Sequence, residues 1–537
     1  MILFARLIFL MLFIVALSWP LKAAEFENFE TALTALPEAN FKSLPELLEA
    51  IAELDDQRVS SLFTHLSKGE VYFQKSDKQV FYVVDQADGT ANIVDVISGE
   101  VVQDINKNQL SKVKTTNSIR SGIAQLQAQL NLNHQDSAIR LNAAREMLAD
   151  VTRISDKRLA DRQTKEENSA VADILILIAA LKELSKEDSA AQLAALESLD
   201  SSLEPDVRQV LVAASQDKER YSPEVQIKIK ATLASIENQR NLYSYAENIF
   251  FGLSLGSVLL LAAIGLAITF GVMGVINMAH GEMMMLGAYT TYVIQQCFPN
   301  LIEYSLLIAI PAAFLVSGLV GVLIERSVIQ FLKGRPLETL LATFGISLIL
   351  QQLVRTVFSP LNRQVIAPEW MSGSWQINPV FSVTFNRLYI IIFSLIVFFM
   401  LLIFLKKSAL GLHVRAVAQN RDMARALSIR SNWVDAATFG LGSGIAGIAG
   451  VVLSQLTNVG PNLGQAYIID SFLVVVFGGV GNLWGTLVSA MTLGVLNKFL
   501  EPITGPVMAT IIVLVGLVFF IQKRPMGLFP QKGRAVE

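Results

Sequence analysis

The sequence predicts a mostly α-helical protein in two parts. An N-terminal soluble helical domain containing a small β-meander precedes a polytopic α-helical membrane bundle of about seven spans plus a re-entrant hairpin. Three observations predict this. Of 537 residues, 52% are hydrophobic and only 17% are charged, where a soluble chain of this size carries about 25% charge. The charge is also divided: residues 246–537 hold 17 Lys+Arg and 11 Asp+Glu, a balance of +6, and residues 1–245 hold 26 and 35, a balance of −9. Apart from the short apolar run at the start of the chain, long apolar segments lie in the second part. The four histidines (His65, His134, His280, His413) are too scattered for a metal site. The single cysteine, Cys297, allows no internal disulfide and stands in an apolar stretch that predicts burial. A soluble single-domain enzyme, a disulfide scaffold and a nucleic-acid binder are excluded, and no cofactor motif is present.

Residues 1–24 read as a signal peptide: Arg6, an apolar run from Leu7 to Trp19, and a small-residue exit at Ala23-Ala24. A retained anchor is the alternative, although the run is short of the ~20 residues a span needs. After cleavage, residues 25–245 would form a domain outside the cytoplasm. Residues 25–66 have helical periodicity, as in Leu44, Leu47, Leu48, Ile51 and Leu54. From 70 to 113 apolar residues alternate (Val71, Phe73; Val80, Tyr82, Val84; Ile93, Val94, Val96) between turns at Ser76-Asp77, Asp88-Gly89 and Ser98-Gly99, which predicts an antiparallel meander. Residues 118–240 return to helix. The run from Asp136 to Leu148 reappears from Asp188 to Leu199, each with an Asp-Ser start and an Ala/Leu stripe. HEAT-like repeats and a plain helical bundle both fit.

Spanning segments are expected at about 248–270, 283–297, 304–324, 338–358, 388–405, 433–455 and 505–521. A further stretch, 471–500, is broken by Gly478-Gly479-Val480-Gly481-Asn482. Thirteen basic residues collect in alternate loops and the tail, among them Lys333, Arg335, Lys406, Arg421, Arg425, Arg430 and Lys523, which places those loops in the cytoplasm. An outside N-terminus and an inside tail require an odd number of crossings. Segment 471–500 is therefore re-entrant from the outer side or crosses twice; the alternative is a kinked single span, with the signal-peptide reading wrong. Irregular backbone at that depth is tolerated only when buried in protein or facing water, so Gly478, Gly479 and Gly481 are candidate pathway residues.

Within 246–537, Asn277, His280, Gly281 and Glu282 stand between two apolar segments with hardly any loop to hold them. They line a cavity, or form a cytoplasmic turn in which Asn277 and Glu282 cap helices. Thr343, Ser347, Gln351 and Arg355 recur in steps of four, along one helical face, as pathway lining or interhelical hydrogen-bonding groups. Gly442-Ser-Gly444-Ile-Ala-Gly447 matches a dinucleotide fingerprint but lies inside a span, where small residues let helices approach. No P-loop exists, so the chain has no ATPase of its own. Residues 411–432 form a short basic amphipathic helix suited to the membrane surface or to a partner's groove, with Ala424 and Leu427, three apart, expected on one apolar face flanked by Arg421 and Arg425.

Together, Gly274–Glu282, Ala342–Gln351, Ala424–Ile429, Phe477–Asn482 and Arg524–Phe529 resemble the inner-membrane permease subunits of ABC importers for branched-chain amino acids and urea or short amides. The N-terminal extension, Gln351–Phe358 and Pro368–Gly373 look most like the urea-type permease. The resemblance implies import of urea or a short amide, with a branched-chain amino acid as the alternative; a passive channel is the rival class. It also implies a second permease subunit, two cytoplasmic ATPases engaging 411–430, and a periplasmic substrate-binding protein. The family usually has Gly where this chain has Ser428, which questions the tight left-handed turn there.

Overall fold

The structure, a computed structural model, describes residues 26–530 apart from Glu27, Glu53, Asp55, Gln57, Lys75, 86–90 and 103–109. The expected signal peptide and the Asp88-Gly89 turn lie outside the described residues. The chain forms two compact units, Met1–Glu237 and Asn238–Glu537.

In the N-terminal unit, α1 (Phe29–Ala35) starts at Asn28, whose Oδ1 accepts the Thr31 amide at 2.9 Å. Helices α2 (Leu44–Ala52) and α3 (Arg58–Lys68) turn Leu48, Ile51, Leu62 and Phe63 into a core shared with a four-stranded sheet. Strands β1 (Val71–Gln74), β2 (Val80–Asp85) and β3 (Ala91–Asp95) form the expected meander. Strand β4 (Leu110–Lys112) then returns to the free edge of β1, giving the antiparallel order β3-β2-β1-β4. Val80 and Tyr82 face the helices, whereas Phe81, Val83, Ile93 and Leu110 form a cluster on the opposite face, so both faces are apolar.

Six helices follow: α4 (Asn117–Asn131), α5 (Ser137–Leu148), α6 (Asp156–Lys165), α7 (Ser169–Leu184), α8 (Ser189–Leu199) and α9 (Pro205–Gln216). The two related runs begin alike: Asp136 accepts the Ala138 amide at 2.9 Å and Asp188 the Ala190 amide at 3.0 Å. Both helices bury their Ala/Leu stripes in one core with Leu175 and Ile178 of α7.

Helix α10 (Pro223–Met273) begins in the first unit and continues into the second, which also contains α11 (His280–Cys297), α12 (Ser305–Ser327) and α13 (Pro336–Phe358). A short hairpin of β5 (Ser374–Gln376) and β6 (Ser382–Thr384) precedes α14 (Phe385–Lys407), α15 (Ala409–Gln419) and α16 (Arg421–Ala426). The chain continues through α17 (Ser431–Leu453), α18 (Leu463–Gly478), α19 (Leu483–Thr504) and α20 (Pro506–Lys523). Among the described residues, seven helical stretches are long and apolar enough to cross a membrane: α10, the stretch containing α12, α13, α14, α17, α19 and α20. The chain is thus a multi-pass membrane protein. The seven differ in one member from the expected set. Helix α11 starts earlier than expected and takes in His280 and Glu282, which lowers its hydropathy, while 471–500 contributes the full-length α19.

Helix α17 is buried along most of its length, and its glycines set the packing distances. A Cβ at Gly442 would lie 2.7 Å from the Gly265 carbonyl of α10, and one at Gly450 only 1.9 Å from that of Met284 in α11. The small-residue run is a helix-packing device, as the sequence suggested. Cys297 corrects one expectation: it is the last residue of α11 and is exposed.

Candidate functional site

Gly274, at φ +68°, ends α10, and the chain turns through Asn277 into α11. Asn277, His280 and Glu282 are all buried. Asn277 Oδ1 accepts the Ala279 amide at 3.0 Å, a local turn contact just before α11, but its Nδ2 has no hydrogen-bond partner. His280 Nε2 donates to the Ala262 carbonyl at 2.9 Å, which fixes its tautomer. Gly281 has no room for a side chain, since a Cβ would stand 2.5 Å from the Gly464 carbonyl of α18.

The polar stripe of α13 meets this motif directly. Met278 N donates to Thr343 Oγ1 at 3.1 Å. Glu282 Oε1 accepts from Ser347 Oγ at 3.0 Å and from Gln351 Nε2 at 2.7 Å. Further along, the Tyr289 and Phe358 rings pack in a tilted arrangement with centroids 4.8 Å apart. The contacts advance along both helices in the same direction, so α11 and α13 run parallel with a continuous polar seam. Arg355 leaves the seam and donates to Asn462 Oδ1 at 2.7 Å. Glu282 Oε2 is buried without a hydrogen-bond partner. A buried carboxylate held only by neutral donors is costly. The seam therefore offers an acceptor to a group that brings N–H donors or positive charge.

The glycine break joins α18 to α19 through a tight turn, with Gly479 and Gly481 at φ +102° and +80°. Gly478 is closely packed, a Cβ there falling 2.5 Å from the Gly485 carbonyl. The turn is bonded to the chain just beyond α20: Leu528 N donates to Phe477 O at 2.9 Å, Phe529 N to Gly478 O at 3.1 Å, and Asn482 Nδ2 to Phe529 O at 3.2 Å. Phe477–Asn482 and Arg524–Phe529 are thus two halves of one contact. Gly481 also approaches α10, where a Cβ at Gly271 would stand 2.6 Å from Gly481 Cα.

The 411–430 stretch is two helices rather than one. Asn420 breaks it at φ −152° and caps α16 by accepting the Met423 amide at 3.0 Å. The expected shared face of Ala424 and Leu427 does not form. Ala424 is buried against Val414, Val417 and Val434, whereas Leu427 is 74% exposed. The cause is local: α16 ends at Ala426, so Leu427 stands past the last helical residue and the three-residue spacing no longer sets its direction. Its outward apolar surface is Met423 and Leu427. Ser428 does adopt the left-handed conformation, at φ +65°. Arg425 Nε donates to Ser431 Oγ at 2.8 Å, and Arg421 binds Asp435.

Sequence reading missed Asp435, Glu325, Lys333 and Asn462. A signal for the two acids was present, because ionisable residues within apolar spans are expensive and carry a reason.

The family described as "Branched-chain amino acid transport system / permease component" matches residues 248–521. The high-affinity branched-chain amino acid transport system permease protein BraD of Pseudomonas aeruginosa is 29% identical over 298 residues, 53% of this chain and 96% of the relative. The corresponding LivH protein of Salmonella typhimurium is 31% identical over 261 residues, 47% of this chain and 84% of the relative. The ribose import permease protein RbsC of Escherichia coli is 26% identical over 265 residues, 48% and 78%. No solved structure matches. The first 247 residues lie outside the family match.

Proposed function

This chain belongs to the family of branched-chain amino acid transport permease components, and from that premise we propose that it forms part of the membrane pathway of an ATP-driven amino acid importer. The observation that carries the reading is Glu282, buried, held by Ser347 and Gln351, with Oε2 left open. An α-ammonium group supplies both the charge and the donors that this oxygen lacks. The names of the relatives favour an amino acid over the urea or short amide suggested by the sequence alone. A second permease subunit, two cytoplasmic ATPases and a periplasmic binding protein complete the proposed assembly, with α15–α16 engaging an ATPase through Met423 and Leu427.

The proposed topology has nine passages: α10, α11, α12, α13, α14, α17, α18, α19 and α20. Nine is odd, as an outer N-terminal unit and an inner tail require. The bonding of the Gly479–Asn482 turn to residues after α20 supports a double crossing at 471–500 rather than a re-entrant loop. The parallel α11–α13 pair fits, because both helices then start from the cytoplasmic side, where the basic loops lie.

The test is uptake into proteoliposomes holding the assembled transporter and its binding protein. Radiolabelled leucine should accumulate against its gradient only with ATP inside the reconstituted cycle. ATP-independent equilibration would leave a passive channel, and ATP-driven uptake of urea but not leucine would restore the urea reading.

A further inference from the structure

Outside the Glu282 seam, charge in the second unit is concentrated where 411–430 meets the ends of the spans. Asp435, in the second turn of α17, has a fully buried side chain. Arg421 grips it with both guanidinium ends, Nη1 to Oδ2 at 2.6 Å and Nη2 to Oδ1 at 3.1 Å. Lys333, in the link between α12 and α13, donates to the same Oδ2 at 2.8 Å. Its Nζ also stands 3.4 Å from Glu325 Oε1, and the Glu325 side chain, near the end of α12, is fully buried as well. The cations are accessible, at 28% for Arg421 and 23% for Lys333, while both anions are enclosed.

Apolar residues would hold these helix ends together at least as well as enclosed charges do. What charges add is a contact that either forms with good geometry or leaves an enclosed anion short of a partner. Moving α16 must therefore move α17 with it or release Arg421 from Asp435. The second route leaves Lys333 as the only cation on Asp435, and Lys333 is shared with Glu325. Lys333 is three residues from the start of α13, the helix that carries Thr343, Ser347 and Gln351. A displacement at the ATPase-facing surface thus has a charged route to the helix that holds Glu282.

We propose that Asp435 is a positioning residue for transport: its shared ion pair with Arg421 and Lys333 transmits movement of α16 to α17 and to the α12–α13 junction. This inference rests on the reading that 411–430 engages an ATPase. It concerns coupling rather than docking, since neither Asp435 nor Lys333 belongs to the exposed Met423–Leu427 surface.

The experiment uses the complete transporter in proteoliposomes and records three quantities: ATPase co-purification, ATP hydrolysis, and substrate taken up per ATP hydrolysed. Asp435→Asn should retain the bound ATPases and hydrolyse ATP, while uptake per ATP falls about tenfold. Asp435→Glu should recover at least half of the wild-type ratio, which a loss of fold would not do. The double variant Arg421→Gln/Asp435→Asn should be no worse than Asp435→Asn alone, because one pair is lost only once. An unchanged ratio in Asp435→Asn, or multiplied losses in the double variant, overturns the proposal. If Asp435→Asn does not insert, Arg421→Gln alone decides by the same ratio: a fall supports the relay and wild-type coupling removes it. Leu427→Asp separates the underlying reading. If it binds ATPases and transports normally, docking at 411–430 fails and the relay fails with it. If it loses the ATPases while Asp435→Asn couples normally, only the relay is lost.

Discussion

Glu166 in the N-terminal unit and Glu282 in the second are both enclosed glutamates, and they differ in charge compensation. In the N-terminal unit the Glu166 side chain is fully buried and both its oxygens are occupied. Arg140 binds it through Nε at 2.9 Å and Nη2 at 2.7 Å, Arg162 Nη2 adds a bond at 2.7 Å, and the Asn168 amide donates at 3.0 Å. The Arg140 hydrogen bonds, with the Asn168 amide and Arg162, outweigh burial and hold this carboxyl at about 2, below its ordinary 4.5. In the second unit Glu282 is just as enclosed but meets only a serine hydroxyl and an amide on one oxygen, and nothing on the other. A compensated buried charge fastens loops and helices. Under the proposed function, the one left uncompensated where the bilayer makes charge expensive is retained for the ammonium group that arrives.

The largest effect should come from breaking the compensated site. Glu166→Ala leaves Arg140 and Arg162 facing each other without their anion, a loss of about 1.5–3 kcal/mol for charge-assisted bonds at a site near solvent. Thermal unfolding of the full chain in detergent should show the N-terminal unit melting far earlier, with the helical membrane signal little changed. The same carboxyl gives a pH dependence. Because its folded pKa is depressed, its contribution is complete above about 4.5 and is lost as pH falls towards about 2. In Glu166→Ala that acid-sensitive loss should be missing; an identical acid profile would mean that Glu166 does not fasten the unit.

Next in size is the uncompensated site. Glu282→Gln keeps the shape and the contacts of Oε1 but removes the charge. Uptake should fall at least about tenfold, or about 1.4 kcal/mol in barrier, while membrane abundance stays near wild type. If abundance falls in step with uptake, Glu282 is a packing group like Glu166 and the comparison collapses. A smaller effect is expected from Asn277→Ala, which loses a turn hydrogen bond of about 1 kcal/mol and an unpaired Nδ2; its uptake should lie between wild type and Glu282→Gln.

The comparison also shows what could be read before the structure. Local signals were legible. Asp136 and Asp188 announced helix starts, the four-residue step of Thr343, Ser347 and Gln351 announced one face, and the glycine break announced a turn. Pairing was not legible. Nothing in the spacing says that Gln351 bonds Glu282, because that contact joins residues 69 apart through the packing of two helices. Faces failed where a helix ended early, as at Leu427, and exposure failed for Cys297, which an apolar neighbourhood placed inside although it terminates its helix. The ion pairs of Asp435 needed both limits to be passed at once, a buried acid and a partner from a separate segment.

The smallest effect concerns backbone strain, again one site in each unit. Ser201 and Ser428 both occupy the left-handed region, at φ +66° and +65°. Ser428 closes α16 by a Schellman turn: its amide donates to Arg425 O at 2.9 Å, and the Ile429 amide reaches back to Ala424 O at 3.0 Å. Glycine is the residue this position favours, since a Cβ costs about 1 kcal/mol in that conformation. The gain from Ser428→Gly is partly offset by the greater freedom of glycine in the unfolded chain, leaving about 0.5 kcal/mol. Ser201→Gly relieves the same strain but forfeits the Ser201 Oγ to Ser235 Oγ contact at 3.3 Å, so its net gain should be nearer zero. Hydrogen exchange on the purified full chain reads both. The Ile429 amide should exchange about twofold more slowly in Ser428→Gly, while Ser201→Gly should leave the surrounding amides unchanged. Faster exchange at Ile429 would mean that the serine itself holds the turn, and that this chain's departure from glycine is an adaptation of the α16 end rather than a tolerated strain.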